Sequence, residues 1–167
     1  MPHKEQYFKT VLSQSKDKIY RLCLGYTGNR MDADDLFQDI SIKIWQNLSS
    51  FRAESHIDTW IYRIATNTAL LYVRKKKRIH KTSDITREES DLVDAEVHGL
   101  GDSEDNLGQL YKSISSLKEM DRIIISLVLE GHSYLEIAEI TGMSMSNVGV
   151  KINRIKKALA VKMRSYG

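Results

Sequence analysis

Apolar residues recur at three- and four-residue steps in several segments of this chain, the spacing of amphipathic helices. Tyr7, Phe8, Val11 and Leu12, then Ile19, Leu22, Cys23 and Tyr26, predict a helix or helix pair over 4–27. Thr27-Gly28-Asn29 reads as a stop and turn. The next helix is expected from Asp32 as N-cap, with Asp34 and Asp35 in its first turn, where the positive end of the dipole favours acid. Leu36, Phe37, Ile40, Ile44, Trp45 and Leu48 form its apolar face. From Ile57 a third helix carries one apolar stripe, Ile57, Trp60, Ile61, Ile64, Ala65, Thr68 and Leu71. Its second stripe holds Arg63, Asn67, Leu70, Arg74 and Lys77, so one side docks on a core while the other offers donors and positive charge.

The periodicity lapses over 82–106, TSDITREESDLVDAEVHGLGDSEDN, which predicts a linker with a short turn around 91–97. It returns with Leu107, Leu110, Tyr111, Ile114 and Leu117, then with Ile123, Ile124, Leu127 and Val128 up to Gly131. Ser133-Tyr134-Leu135-Glu136 is a capping box that opens the short helix YLEIAEIT, closed by Gly142. A longer helix is expected from Ser146 to Met163. Small Ala138, the glycine four residues on and Val148 six beyond fit a helix-turn-helix. Ser144, Ser146, Asn147, Lys151 and Arg154 are then placed to reach phosphates or base edges in a major groove, and Lys156 and Lys157 continue the positive charge of an acid-free helix. Gly149 runs against this helix, costing about 1 kcal/mol relative to alanine.

Net charge is only +3, but its distribution is uneven. Residues 1–81 hold 15 Lys/Arg against 8 Asp/Glu, residues 82–106 hold 1 against 9, and residues 107–167 hold 9 against 5. Six cations fall in eight positions at Arg74–Lys81, more than a helix end needs for its dipole, and favour a polyanion. The acidic residues Asp32, Asp35 and Asp39 lie off the apolar face of their helix. Capping accounts for Asp32 and Asp34; a docking role for Asp39 and Gln38 stays open on spacing alone.

The remaining constellations exclude more than they offer. The five histidines have no metal-ligand spacing with one another or with Cys23, and there is neither a phosphate loop nor a nucleophile elbow. The single cysteine reads as a small core residue. No apolar run approaches the ~20 residues of a membrane span, so no membrane insertion is expected. No secretory signal is evident at MPHKEQYFKT, and a cytoplasmic location is expected. No cofactor and no catalysis are expected.

Taken together, TGNRMDADDLFQDISIKIW (27–45), FRAESHIDTWIYRIATNTALLYVRKKKR (51–78) and SLKEMDRIIISLVLEGHSYLEIAEITGMSMSNVGVKINRIKKAL (116–159) resemble the bacterial RNA polymerase sigma-70 family. The resemblance is to its small extracytoplasmic-function (ECF) class. It implies an all-α protein of two small helical domains joined by an acidic linker: region 2 at 1–81, the linker at 82–106, and region 4 with its helix-turn-helix at 107–167. It implies that Asp35, Leu36, Gln38 and Asp39 dock on the clamp helices of the polymerase's largest subunit. Arg52, Ser55 and His56 match the loop that captures a flipped-out base of the minus-ten element. Arg63, Asn67, Arg74 and Lys77 lie on the helix that holds the opened strand. Flipping costs a few kcal/mol, which a preformed pocket and backbone contacts offset. Residues Ser144 to Lys157 match the helix that reads the minus-thirty-five element as duplex. Core RNA polymerase (clamp helices and flap), promoter DNA and an anti-sigma factor are the implied partners. Two positions depart from the family pattern: an acidic residue is frequent where Leu71 stands, and lysine or arginine where Gly149 stands.

Two other classes compete on the residues alone. A stand-alone helix-turn-helix regulator predicts tight duplex binding without polymerase. An enzyme using the Asp32–Asp39 carboxylates on a metal predicts a response to divalent ions.

Overall fold

The computed structural model describes residues 2–83 and 105–165. In order come α1 (Pro2–Thr27), α2 (Arg30–Asn47), a 3₁₀ turn (Leu48–Ser50), α3 (Ile57–Ser83), α4 (Asp105–Ser115), α5 (Glu119–Leu129), α6 (Tyr134–Thr141) and α7 (Met145–Arg164). Among the described residues there is no strand. The all-α expectation holds. The expected linker at 82–106, with its turn around 91–97, lies outside the described residues except at its two ends, where α3 continues to Ser83 and α4 begins at Asp105.

Residues 4–27 form one continuous helix rather than a pair. Gly28, at φ +80°, ends it, its N–H donating to the Leu24 carbonyl at 2.8 Å. That glycine also fixes where α2 begins. Asn29, not Asp32, is the N-cap: its backbone is extended and its side chain accepts from the Asp32 N–H at 2.9 Å. Asparagine and aspartate cap about equally well, so residue type alone does not choose between them. The stop at Gly28 leaves Asn29 as the first residue free to cap, and Asp32 moves into the first turn. There its carboxylate accepts from Asn29 Nδ2 at 2.9 Å.

Ile19, Leu22, Cys23 and Tyr26 of α1 meet Leu36, Ile40 and Ile44 of α2 and Ile61, Ala65 and Ala69 of α3 in a fully buried core. The second half contributes Ile114, Ile123, Ile124, Leu127, Ile137, Val148 and Ile152 to the same continuous cluster. The halves join because α1 packs on α4 and α5, and α3 packs on α6. At Gly25 a Cβ would stand 2.9 Å from Ser126 Oγ, and at Gly28 it would stand 2.6 Å from Ser115 Oγ. Polar contacts cross the same seam. Arg21 holds Glu130 with two bonds, 2.7 Å from Nε and 2.9 Å from Nη2. Arg122 Nη1 donates to the Tyr26 carbonyl at 3.0 Å.

The single apolar stripe expected on α3 needs correcting. Leu71 is 59% exposed, while Tyr62 and Thr66, off that stripe, are buried. The helix is covered on two flanks, by α2 and by the second half, where Tyr62 meets the edge of His132 at 4.4 Å between centroids. Trp45 of α2 is also 38% exposed, with the Phe8 ring roughly perpendicular to it at 5.2 Å and Lys4 over its face.

Candidate nucleic-acid and partner interfaces

Three surfaces carry the residues singled out in the sequence. The first is α2. Asp35, Gln38 and Asp39 are exposed along it, as a docking surface requires. Leu36 is not: it is fully buried against the core, so it positions the helix and offers nothing to a partner. Asp32 separates from the acidic cluster too. Lys76 pairs with its carboxylate, and Tyr72 donates to it at 3.4 Å. Partial burial pushes the Asp32 carboxyl up, but the bonds from Lys76, Asn29 and Tyr72 outweigh this and leave it below the usual carboxylate range. The same neighbourhood, burial first and then Asp32, pushes the Tyr72 hydroxyl up to about 12. Beside the exposed acids lies a shallow groove of about 260 Å³ between α2 and α3, with Asp39 at its edge and Ile42 and Leu71 in its lining. Periodicity alone does not signal it, because Leu71 falls on the apolar stripe of α3 and yet stands exposed.

The second surface is a cleft of about 610 Å³ where the loop before α3 meets the first turns of that helix. Arg52, Ser55, His56 and Arg63 come together there, with Thr59 and Trp60 on the wall. Ala53 bends the loop back with a left-handed φ of 57°. The His56 carbonyl accepts from the Trp60 N–H at 3.1 Å, which anchors the loop to the start of α3. Trp60 packs on the core and lies 5.2 Å from the Phe51 ring, so it both supports and lines the cleft. Arg63, Asn67 and Arg74 are exposed along one face of α3. Two acidic residues also line the cleft: Glu54, from the same loop as Arg52 and Ser55, and Glu139, which had no signal in the sequence. Glu139 arrives from α6, and Arg63 Nε donates to its backbone carbonyl at 2.9 Å. Lys77 pairs with Glu119 of α5 at 2.6 Å. The second half of the chain therefore holds two members of this face.

The third surface is α7 and the turn that presents it. Ser133 accepts from the Glu136 N–H and Glu136 reaches back to the Ser133 N–H, both at 3.1 Å, completing the expected capping box. Those contacts, with His132 beside it, lower the Glu136 carboxyl from its ordinary range. Gly142 adopts φ +77° and donates to the Ala138 carbonyl at 2.9 Å, and Val148 is fully buried, as a helix-turn-helix requires. Ser144 caps α7 by accepting from the Asn147 N–H at 3.2 Å. Ser146, Asn147, Arg154, Lys156 and Lys157 are exposed. Lys151 is half-buried and donates to Asp121 at 3.3 Å.

Among the described residues no group of three or more His, Cys, Asp or Glu side chains is arranged to hold a metal ion, and no helix is long and apolar enough to cross a membrane.

Comparison with known proteins draws these surfaces together. Residues 11–79 match the family described as Sigma-70 region 2, and residues 107–159 match Sigma-70, region 4. The chain is 30% identical over 166 residues to the ECF RNA polymerase sigma factor SigW of Bacillus subtilis, covering 94% of this chain and 89% of SigW. It is 30% identical over 172 residues to the ECF RNA polymerase sigma-E factor of Haemophilus influenzae, covering 94% and 87%. Its fold matches that of the sigma factor RpoE in complex with the anti-sigma factor NepR from Bartonella quintana. There the TM-score is 0.76 at 24% identity, covering 95% of this chain and 98% of the other. The chain belongs to the sigma-70 family of RNA polymerase sigma factors, in its extracytoplasmic-function class.

Proposed function

We propose that this chain brings core RNA polymerase to a subset of promoters and helps to melt them, with each surface taking one step. Exposed Asp35, Gln38 and Asp39 dock on the polymerase clamp helices. The cleft of Arg52, Ser55 and His56 captures a flipped base of the minus-ten element, and Arg63, Asn67, Arg74 and Lys77 hold the opened strand. The outer side of α7, with Ser146, Asn147, Arg154, Lys156 and Lys157, grips the minus-thirty-five element as duplex, flanked by Ser144 and Lys151. The functional division is region 2 up to residue 81 and region 4 from residue 107. The protein acts in the cytoplasm and is not an enzyme, since polymerase carries the chemistry. An anti-sigma factor holds it when it is not in use, a reading supported by the NepR complex of its structural neighbour.

The observation that carries this reading is the pairing, within one member of this family, of a loop-lined cleft at the head of a basic helix with a fully capped helix-turn-helix. It is tested by transcription in vitro with purified core polymerase on a genomic library. The wild-type chain should yield transcripts from a defined promoter set. Asp35→Lys with Asp39→Lys should reduce core-polymerase binding at least about a hundredfold, since buried interfacial charge reversal costs several kcal/mol, while the helical circular dichroism stays unchanged. Undiminished binding would remove α2 from the interface.

A further inference from the structure

On α7, Val148, Ile152, Ile155 and Leu159 bury one side of the helix. Half a turn away, at three- and four-residue steps, stand Ser146, Val150, Asn153, Arg154 and Lys157, all exposed. Val150 is the odd member, a β-branched apolar residue left 50% exposed amid donors and cations. Its neighbour Gly149 is equally without a reason in the fold. Its φ is not in the left-handed region, where only Gly28, Gly131 and Gly142 lie among the described glycines. A Cβ at 149 would meet only the Tyr134 ring, at 3.6 and 3.9 Å, which is ordinary contact. Glycine is the poorest helix former after proline, and an exposed valine gains nothing from burial. Two adjacent residues that do not serve the helix thus stand side by side, Val150 facing outward and Gly149 on the flank beside Tyr134 of α6.

We infer that Gly149 and Val150 form a low apolar step on α7 that reads a thymine methyl group in the major groove of the upstream promoter element. This rests on the assignment of α7 to that element. With no side chain at 149, the flank between Val150 and the Tyr134 ring stays low, so the helix can settle closer to the groove floor on that side. Thymine is the base that presents a C5-methyl in the major groove, and apolar side chains are what meet it. Asn153 and Arg154, within a turn of Val150, supply donors for the neighbouring base edges. The six cations of α7, with no acid on the helix, identify the occupant as a polyanionic duplex.

The test uses holoenzyme reconstituted from the full chain and core polymerase. Promoters are selected from a library randomised through the upstream element, and the best is resynthesised with each thymine replaced in turn by deoxyuridine, which removes only the methyl. At one position the replacement should lower open-complex formation about fourfold, the worth of one buried methyl group. Holoenzyme carrying Val150→Asn, which puts a polar amide where the apolar contact stood, should be indifferent to that same replacement. Gly149→Ala should raise the melting temperature of the free protein by about 2–4 °C and yet weaken transcription from the selected promoter severalfold. An upstream preference without any deoxyuridine effect on the wild type overturns the inference, as does Gly149→Ala improving stability and transcription together. A library that shows no upstream preference at all overturns the assignment of α7, and the inference with it.

Discussion

The outward faces of α3 and α7 are both basic, and they differ in what their own chain does with the charge. On α3, Lys76 pairs with Asp32, Lys77 pairs with Glu119, and Arg63 is bound to the Glu139 carbonyl. On α7, Lys151 is the cation with an acidic partner among the described residues, and that contact is long at 3.3 Å. Two of the three α3 contacts come from the other half of the molecule. The electrostatic pull of α3 on a nucleic acid therefore depends on how the halves pack, whereas that of α7 is nearly independent of it. A charge count along the sequence gives both faces the same weight; the contacts do not.

That contrast is broken most severely at Gly28. A valine there combines a left-handed backbone with a clash against Ser115, so Gly28→Val should cost about 3 kcal/mol or more. Urea unfolding measures it, and an unchanged midpoint would mean that the α1–α2 turn and α4 are not in contact. Arg21→Ala acts on the same seam with a smaller effect. Glu130, whose side chain is only 9% exposed, loses two charged bonds, and a loss of about 1–2 kcal/mol is expected. Arg21→Lys should restore only part of it, because an ammonium does not reproduce the forked contact. Glu119→Gln sharpens the comparison with little change in stability, within about 0.5 kcal/mol. Freed from its partner, Lys77 should steepen the dependence of single-strand binding on log salt by about 0.7. Asp121→Asn, freeing Lys151, should change the corresponding duplex slope much less, since its existing contact is weak.

Much of this architecture was legible because local signals were unambiguous. The capping box at Ser133–Glu136 and the left-handed Gly142 are short-range chemistry, and α6 appeared where that chemistry put it. The exposed α3 residues Arg63, Asn67 and Arg74 follow from helical period alone. What stayed hidden depends on contacts between distant residues. Leu36 falls on the apolar face that periodicity gives α2 and also in the acidic segment matched to the docking surface, and the packing of α2 decides for the core. The exposure of Leu71 and the burial of Tyr62 reflect two partners for α3 where periodicity suggested one. Glu139 at the mouth of the cleft lies 76 residues from Arg63, a separation that no local pattern bridges.

Cys23 gives the folded chain a chemical clock. It is the one cysteine of the sequence, it sits fully buried on α1, and burial pushes its thiol far above the ordinary range. Alkylating reagents attack the thiolate, which this environment suppresses. Modification by iodoacetamide should therefore proceed no faster than α1 lifts from the core. A ligand that steadies that helix would slow the reaction, and one that prises it away would quicken it, with no label or engineered residue needed.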